Sequence, residues 1–418
     1  MGMADSMMVS NVGAAALSGV SLVDSINILI VQAFNAMATG GVIICSTCIG
    51  QRDLKRANEA ARQVLLVSTT LSVTVMVIGL IFRTGLLSLV FGRVDADVMS
   101  AAGIYFFLTI LSYPAVAIAA AAGAIFRAQA NTRLPMNVAI VSNIINVAGN
   151  ALLIWGAGLG VTGAALATLF SRIFSAVVLM WMLRNTKYEI SIRDYMKIRP
   201  DADKIHKILA MGIPNGIENS MFQFGKLAIQ SSVSTLGTVA IAAQAMTNIF
   251  ENVNGVAGVG VGIGLMTIVG QCLGAGRKDE AVYYTKKMIV WGYIAILLSC
   301  LFTYAISRPV TILAGMVPES AALCIYMLGW ITVVKPLLWS PSFITAYAMR
   351  AAGDVKFSMI VATLTMWLCR VTLAVFLIRV AGIGAMGVWI GMFCDWGIRG
   401  IIFTVRFKSG RWIHKVVS

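Results

Sequence analysis

Long apolar runs alternate along the chain with short stretches that carry most of its charge. Reading each run between charged breaks as one helix predicts eleven spans, at 15–47, 61–82, 98–123, 135–155, 162–183, 206–235, 238–270, 284–306, 320–347, 357–380 and 385–405. Each is long enough to cross a hydrocarbon core as a helix, which takes roughly 18 to 20 residues. Several are longer still, which requires tilt or protrusion from the bilayer.

Composition agrees with the pattern. Hydrophobic residues make up 59% of 418 positions, charged residues 12%, and the mean hydropathy is +0.87. Soluble chains carry roughly 25% charged residues, so this one is not built to face water. The fold class read here is all-α, a polytopic membrane protein. The net charge of +15 raises the question of nucleic acid, but its distribution answers it. Of 32 basic residues, 23 fall on alternate connections, at 50–63, 126–134, 184–207, 273–287, 349–356 and from 406 onward. Only Arg83, Arg93, Arg308 and Arg379 fall on the opposite set, and Arg172, Lys226, Lys335, Arg370 and Arg399 lie within spans. Basic residues favour the cytoplasmic side, which places the first set and the carboxyl end inside a bacterial-type inner membrane. Membrane lipid is then the chain's surroundings, and nucleic acid is no partner.

The longest polar connection, RNTKYEISIRDYMKIRPDADKIHK (184–207), divides the chain near its middle. The expected domains are 1–184, a linker at 185–205, and 206–418. A shift of 224 residues lays the stretch from Gly13 on the one from Gly237, bringing Gly40 to Gly264, Cys48 to Cys272, Gly50 to Gly274 and Ala57 to Ala281. FRAQANTRLPM (126–136) parallels MRAAGDVKFSM (349–359) at 223, and Gly158, Gly160 and Gly163 meet Gly382, Gly384 and Gly387 at 224. The chain therefore reads as an internal duplication. The second half opens with a whole helix before Gly237, whereas only a dozen residues precede Gly13. MGMADSMMVSNVG is accordingly read as the outer end of a truncated first helix, with Asp5 inside the membrane. Six helices per half imply parallel lobes related by a pseudo-two-fold axis along the membrane normal.

An ionisable group at mid-membrane costs on the order of 2.5–3.5 kcal/mol, so each needs a reason. The acids within spans are Asp5, Asp24, Glu218, Glu251 and Asp395. Structural pairing accounts for some: Arg370 with Asp395 and Glu218 with Lys335 are the expected pairs, and the four also form a candidate charge or substrate site in the second half. Asp5 has no base in the spans of its own half except Arg172. Instead, SNIINVAGNALLIWG offers Asn146 and Asn150 at i, i+4, on one helix face. An aspartate with two amides and a hydroxyl suits a small hard cation, or a desolvated carboxyl that takes up a proton. Amides that merely tie helices together are the alternative.

Enzymatic readings find little. Cys45-Ser-Thr-Cys48 lacks the βαβ setting of a redox motif. GLGVTG (158–163) has no strand before it, and no serine, cysteine or carboxylate constellation points to catalysis. Two distant histidines, His206 and His414, offer no metal cluster.

The chain resembles the multidrug and toxic compound extrusion family. The resemblance covers nearly its whole length and rests on ADSMMVSNVG, IGQRDLKRA, LGAGRKDEA, FRAQANTRLPM and above all NVAGNALLIWGAGLGVTGAALATLFSR. It implies a monomeric twelve-helix antiporter of two lobes, exporting small, mostly cationic organic compounds against a proton or sodium gradient, with no cofactor beyond Na+ as the alternative coupling ion. It also implies a cation site of Asp5, Asn146, Asn150 and Thr168. Some members carry an aspartate where Asn150 stands, and the neutral amide favours a proton on Asp5 over sodium. A second-lobe acidic pair used by sodium-coupled members falls on Phe222 and Trp339, with Glu218 one turn away as a substitute. Two other readings stay open: a flippase for lipid-linked precursors, favoured by the basic second half, and an inactive truncated transporter.

Overall fold

A computed structural model describes residues 5, 8, 9, 11–92, 95–193, 195 and 198–413. Arg93, His414 and most of the first ten residues lie outside that set, but Asp5, Met8 and Val9 are within it and helical. The described residues form helices and no strands. Among the described residues, nine helices are long and apolar enough to cross a membrane, and a bent pair makes up to ten.

Local chemistry explains where the observed helices depart from the expected spans. The expected 61–82 helix starts earlier, at Leu54, because the Asp53 side chain caps it by accepting from the Arg56 N–H at 2.9 Å. The expected 98–123 span is instead two helices, Ala96–Leu111 and Tyr113–Ala128, bent by 44°. Pro114 sits in the first turn of the second, where its missing N–H costs nothing but where it ends the preceding helix. The expected 206–235 span is helical over Ala202–Val233, with Pro214 inside, yet it is not among the helices apolar enough to cross. Asn215, Glu218, Asn219, Gln223 and Lys226 lower its hydropathy. Two helices loosen into π turns: Arg133–Asn150 continues into Ala151–Gly156, and Val355–Leu364 into Thr365–Val371. Such widened turns recur at functional positions. Both occur in the helix that the repeat pairs at an offset of 223.

By internal contacts the chain divides into two units, Met1–Cys45 with Asp53–Gly216, and Ser46–Arg52 with Ile217–Ser418. In the first, Gly160–Leu183 packs against Ala96–Leu111, Tyr113–Ala128 and Arg133–Asn150. The polar segment after residue 184 is tied down within it. Gln63 donates to the Arg199 carbonyl at 2.7 Å, and Lys204 reaches Glu59 at 2.6 Å and Asp201 at 2.9 Å. In the second, Thr238–Gly274, Lys278–Leu313 and Pro318–Ala351 pack together, and Met386–Lys408 lies against the last of these. Each unit has an apolar core into which polar groups are set, and an apolar outer surface. Asp5, Asn146, Lys335 and Asp395 are fully buried, while Leu89, Trp181, Leu298 and Ile401 stand exposed. Lipid does not penalise that exposure, whereas unsatisfied polar groups in hydrocarbon are costly.

The duplication is visible in backbone conformation. Gly158 and Gly382 both adopt left-handed φ, +66° and +65°, as do Gly160 and Gly384. Arg52 (φ 59°) and Ala130 (φ 60°) take the same strained region where their repeat partners, Gly276 and Gly353, are glycines. Gly50 and Gly274 show it in packing: a Cβ on Gly50 would overlap the Gln271 carbonyl, and one on Gly274 the Thr47 carbonyl. Thr47 and Gln271 are themselves repeat partners.

Candidate functional site

In the first unit, the i, i+4 spacing of Asn146 and Asn150 sets both amides on the buried face of their helix, just before its π turn. Thr168 lies on the buried face of Gly160–Leu183, which packs alongside. Asp5 is buried among them with no exposure. Its Oδ1 accepts from Asn150 Nδ2 at 2.7 Å and Asn146 Nδ2 at 3.2 Å. Its Oδ2 accepts from the Thr168 hydroxyl at 2.5 Å and the Tyr105 hydroxyl at 2.9 Å. Asn146 Nδ2 also donates to Thr168 Oγ1 at 2.9 Å. Four donors thus surround one carboxylate, and among the described residues no ion pair reaches it. Arg172, the base within the spans of this half, instead donates to Ser112 Oγ at the bend, at 2.8 Å. Hydrogen bonds to a charged acceptor are individually worth about 1.5–3 kcal/mol, so such a nest can hold an ionised group without a counter-charge.

The four residues expected in the first half therefore do meet. Tyr105 was missed, since a tyrosine inside an apolar run gives no signal in sequence. Its hydroxyl also lies 3.3 Å from Asp24 Oδ1, and its single proton serves one carboxylate at a time. Asn146 Oδ1 and Asn150 Oδ1 are buried without hydrogen-bond partners. Those orphaned acceptors are hard oxygens of the kind a small cation takes, but the atoms that face Asp5 are the amide N–H groups.

The second half is wired differently from expectation. Glu218 does not pair with Lys335: its Oε1 accepts from Arg350 Nη2 at 2.5 Å. Lys335 is fully buried and donates to Glu251 Oε1 at 2.8 Å, to the Glu251 carbonyl at 3.1 Å and to Asn254 Oδ1. The reason is axial position. Arg350 and Lys335 share Pro318–Ala351, and fifteen residues of helix separate them by about 22 Å. Glu218 lies level with Arg350. The Arg370–Asp395 pair forms as expected, at 2.7 Å, with Arg399 at 3.5 Å from the same carboxyl oxygen. The four candidate residues thus belong to three separate ion pairs rather than one site.

Two of these pairs border a cavity of about 560 Å³ whose wall includes Phe222, Lys226, Glu251, Trp339 and Arg370. Its Trp339 and Phe343 rings stack at 4.6 Å. Among the described residues no cluster of three His, Cys, Asp or Glu side chains could hold a metal ion.

The chain is 26% identical over 420 residues to the uncharacterized transporter YisQ of Bacillus subtilis, covering 99% of this chain and 91% of that one. It is 24% identical over 421 residues to the probable multidrug resistance protein NorM of Thermotoga maritima, covering 100% and 89%. Its fold matches a crystal structure of a MATE transporter in complex with MaL6, with a TM-score of 0.91 at 19% identity over 99% of this chain and 92% of that one. The family model MatE matches residues 1–152 and 214–376, most of both halves. A multi-pass, all-helical chain that shares this model across its length belongs to the MatE family, whose members are secondary transporters and not enzymes.

Proposed function

We propose that this transporter exports amphipathic organic compounds, drugs and toxic molecules among them, in exchange for protons taken up at Asp5. The names of its relatives support the cargo class, since NorM of Thermotoga maritima is a probable multidrug resistance protein. The observation that carries the coupling is the nest of four donors around a buried carboxylate. Ionised Asp5 satisfies all four. A proton on Asp5 turns one acceptor into a donor, so one of the two hydroxyls must turn away. Thr168 accepts from Asn146 and sits closest, whereas Tyr105 has a second acceptor ready in Asp24. Protonation therefore releases Tyr105 toward Asp24 and loosens the tie between residue 5 and Ala96–Leu111.

Coupling needs only that this change alter the relative stability of outward-open and inward-open states, in an alternating-access cycle. Sodium is the weaker choice, because Asn150 supplies a neutral amide where some family members carry a second carboxylate. The setting is the cytoplasmic membrane, with the carboxyl end inside. The test is reconstitution in liposomes with separately imposed proton and sodium gradients. A proton gradient is expected to drive exchange of a fluorescent dye. Exchange driven by sodium alone at matched pH would replace the proton in this scheme, and movement under neither gradient would remove the coupling.

A further inference from the structure

The second-unit cavity has a polarity that cargo export alone does not explain. Its wall carries Lys226, Arg370 and Glu251. Glu251 is already matched by Lys335 at 2.8 Å. Arg370 pairs with Asp395 through Nη2, but its Nε–H is buried with no hydrogen-bond partner. The Trp396 Nε1–H, on the same wall, is likewise buried and unpartnered, in a residue only 1% exposed. Among the described residues these are the two buried wall atoms without a hydrogen bond, and Oδ1 and Oδ2 of Asp395, against Arg370, are without one as well. Lys226 adds an ammonium that makes no ion pair or hydrogen bond among the described residues. Buried polar groups are ordinarily satisfied, and a buried donor without an acceptor is costly. Asp395 already answers Arg370 at 2.7 Å, whereas Lys226 has no acid of its own among the described residues, and that surplus cation asks for an anion.

The remaining wall is aromatic. The stacked Trp339 and Phe343 rings, with Tyr347, offer flat apolar surface beside the donors. The volume is in the range of pockets that enclose drug-sized molecules. We propose that this cavity binds an aromatic organic anion, its carboxylate held by Lys226, its ring against Trp339. This deepens the export reading, and rests on it for the direction of transport, by naming the cargo class. It also reverses the cationic charge that family resemblance implied.

The test uses the purified full chain in nanodiscs and calorimetric titration with a matched pair, 1-naphthoate and 1-naphthylmethylammonium, against empty nanodiscs. Naphthoate is expected to bind saturably and at least tenfold more tightly than the ammonium. Lys226→Gln should weaken naphthoate about tenfold, the loss of one charge-assisted hydrogen bond. Its melting temperature should stay that of the parent, since the ammonium has no partner to lose. Trp339→Ala should weaken both probes alike. Equal or tighter binding of the ammonium overturns the proposal, as does naphthoate affinity unchanged in Lys226→Gln. Tighter binding of geranylgeranyl diphosphate than naphthoate would assign the cavity to lipid-linked anions and overturn the aromatic class. Binding is read at equilibrium without a gradient, so its failure leaves proton coupling at Asp5 untouched. Uncoupled exchange with intact naphthoate binding would sink only the coupling.

Discussion

Replacing Asp5 by asparagine keeps the shape of the side chain and removes its charge and its proton. The carbonyl oxygen of the new amide can take the place of Oδ1 and keep both asparagine donors, at 2.7 and 3.2 Å in the parent. The amide nitrogen then faces two hydroxyls. Thr168 can turn to accept, and Tyr105 can turn to Asp24, 3.3 Å away. One bond is lost and the other three become neutral, which costs about 2–3 kcal/mol. The variant should therefore fold, with a lowered melting temperature in detergent, and resemble the protonated carrier. In liposomes it should still exchange labelled for unlabelled cargo, while an imposed pH gradient no longer drives accumulation. Asp5→Ala has no such escape. Asn150 Nδ2 would be left without its acceptor in a buried hole, for a loss of roughly 3–5 kcal/mol and poor expression. Gradient-driven accumulation at the parent rate in Asp5→Asn would refute the reasoning, whatever its stability.

Other substitutions test the frame. Lys335→Met strands the Glu251 carboxylate and should cost about 3–5 kcal/mol, with much of the loss recovered by adding Glu251→Gln, read as thermal midpoints. Gly50→Ala and Gly274→Ala each push a methyl into a backbone carbonyl and should cost roughly 1–3 kcal/mol apiece, by similar amounts because the contacts are equivalent. Ala130→Gly relieves a left-handed residue where its repeat partner is already glycine, and should stabilise by roughly 0.5–1 kcal/mol. Near residue 200, the Lys204 ammonium holds the Asp201 carboxyl below the usual aspartate range. A depressed carboxyl stabilises above its ordinary value and loses that contribution as pH falls below it. Amide protection around 201–204, corrected for the intrinsic pH dependence of exchange, should therefore hold between pH 6 and 8 and fall toward that of Asp201→Asn only below about pH 4.

The helices were legible because apolar run length is a strong signal, and their ends less so because caps and prolines act locally. The break at Ser112 hung on Pro114, which a hydropathy reading passes over. Asn146 and Asn150 advertised a shared face by spacing alone, and an acid as close to an apolar run as Asp5 invites a partner. Tyr105 carried no such mark: it serves by depth in the packing, which one-dimensional order does not encode. The Glu218 error had a definite source. Arg350 was counted among the basic residues of a cytoplasmic connection, yet its long side chain reaches back to a buried carboxylate, as snorkelling arginines can. The orphaned donors of the second-unit cavity were also out of reach, because an unpaired group is defined by what fails to surround it.

The reciprocal approach of Gly50 to Gln271 and of Gly274 to Thr47 has the form of a contact between two copies of one surface, in which residue i meets j and j meets i. Self-complementary patches of that kind arise when identical chains associate about a two-fold. A gene fusion that joined two such copies would inherit the seam ready made. Later drift could then reshape each half separately, so long as those two glycines stayed.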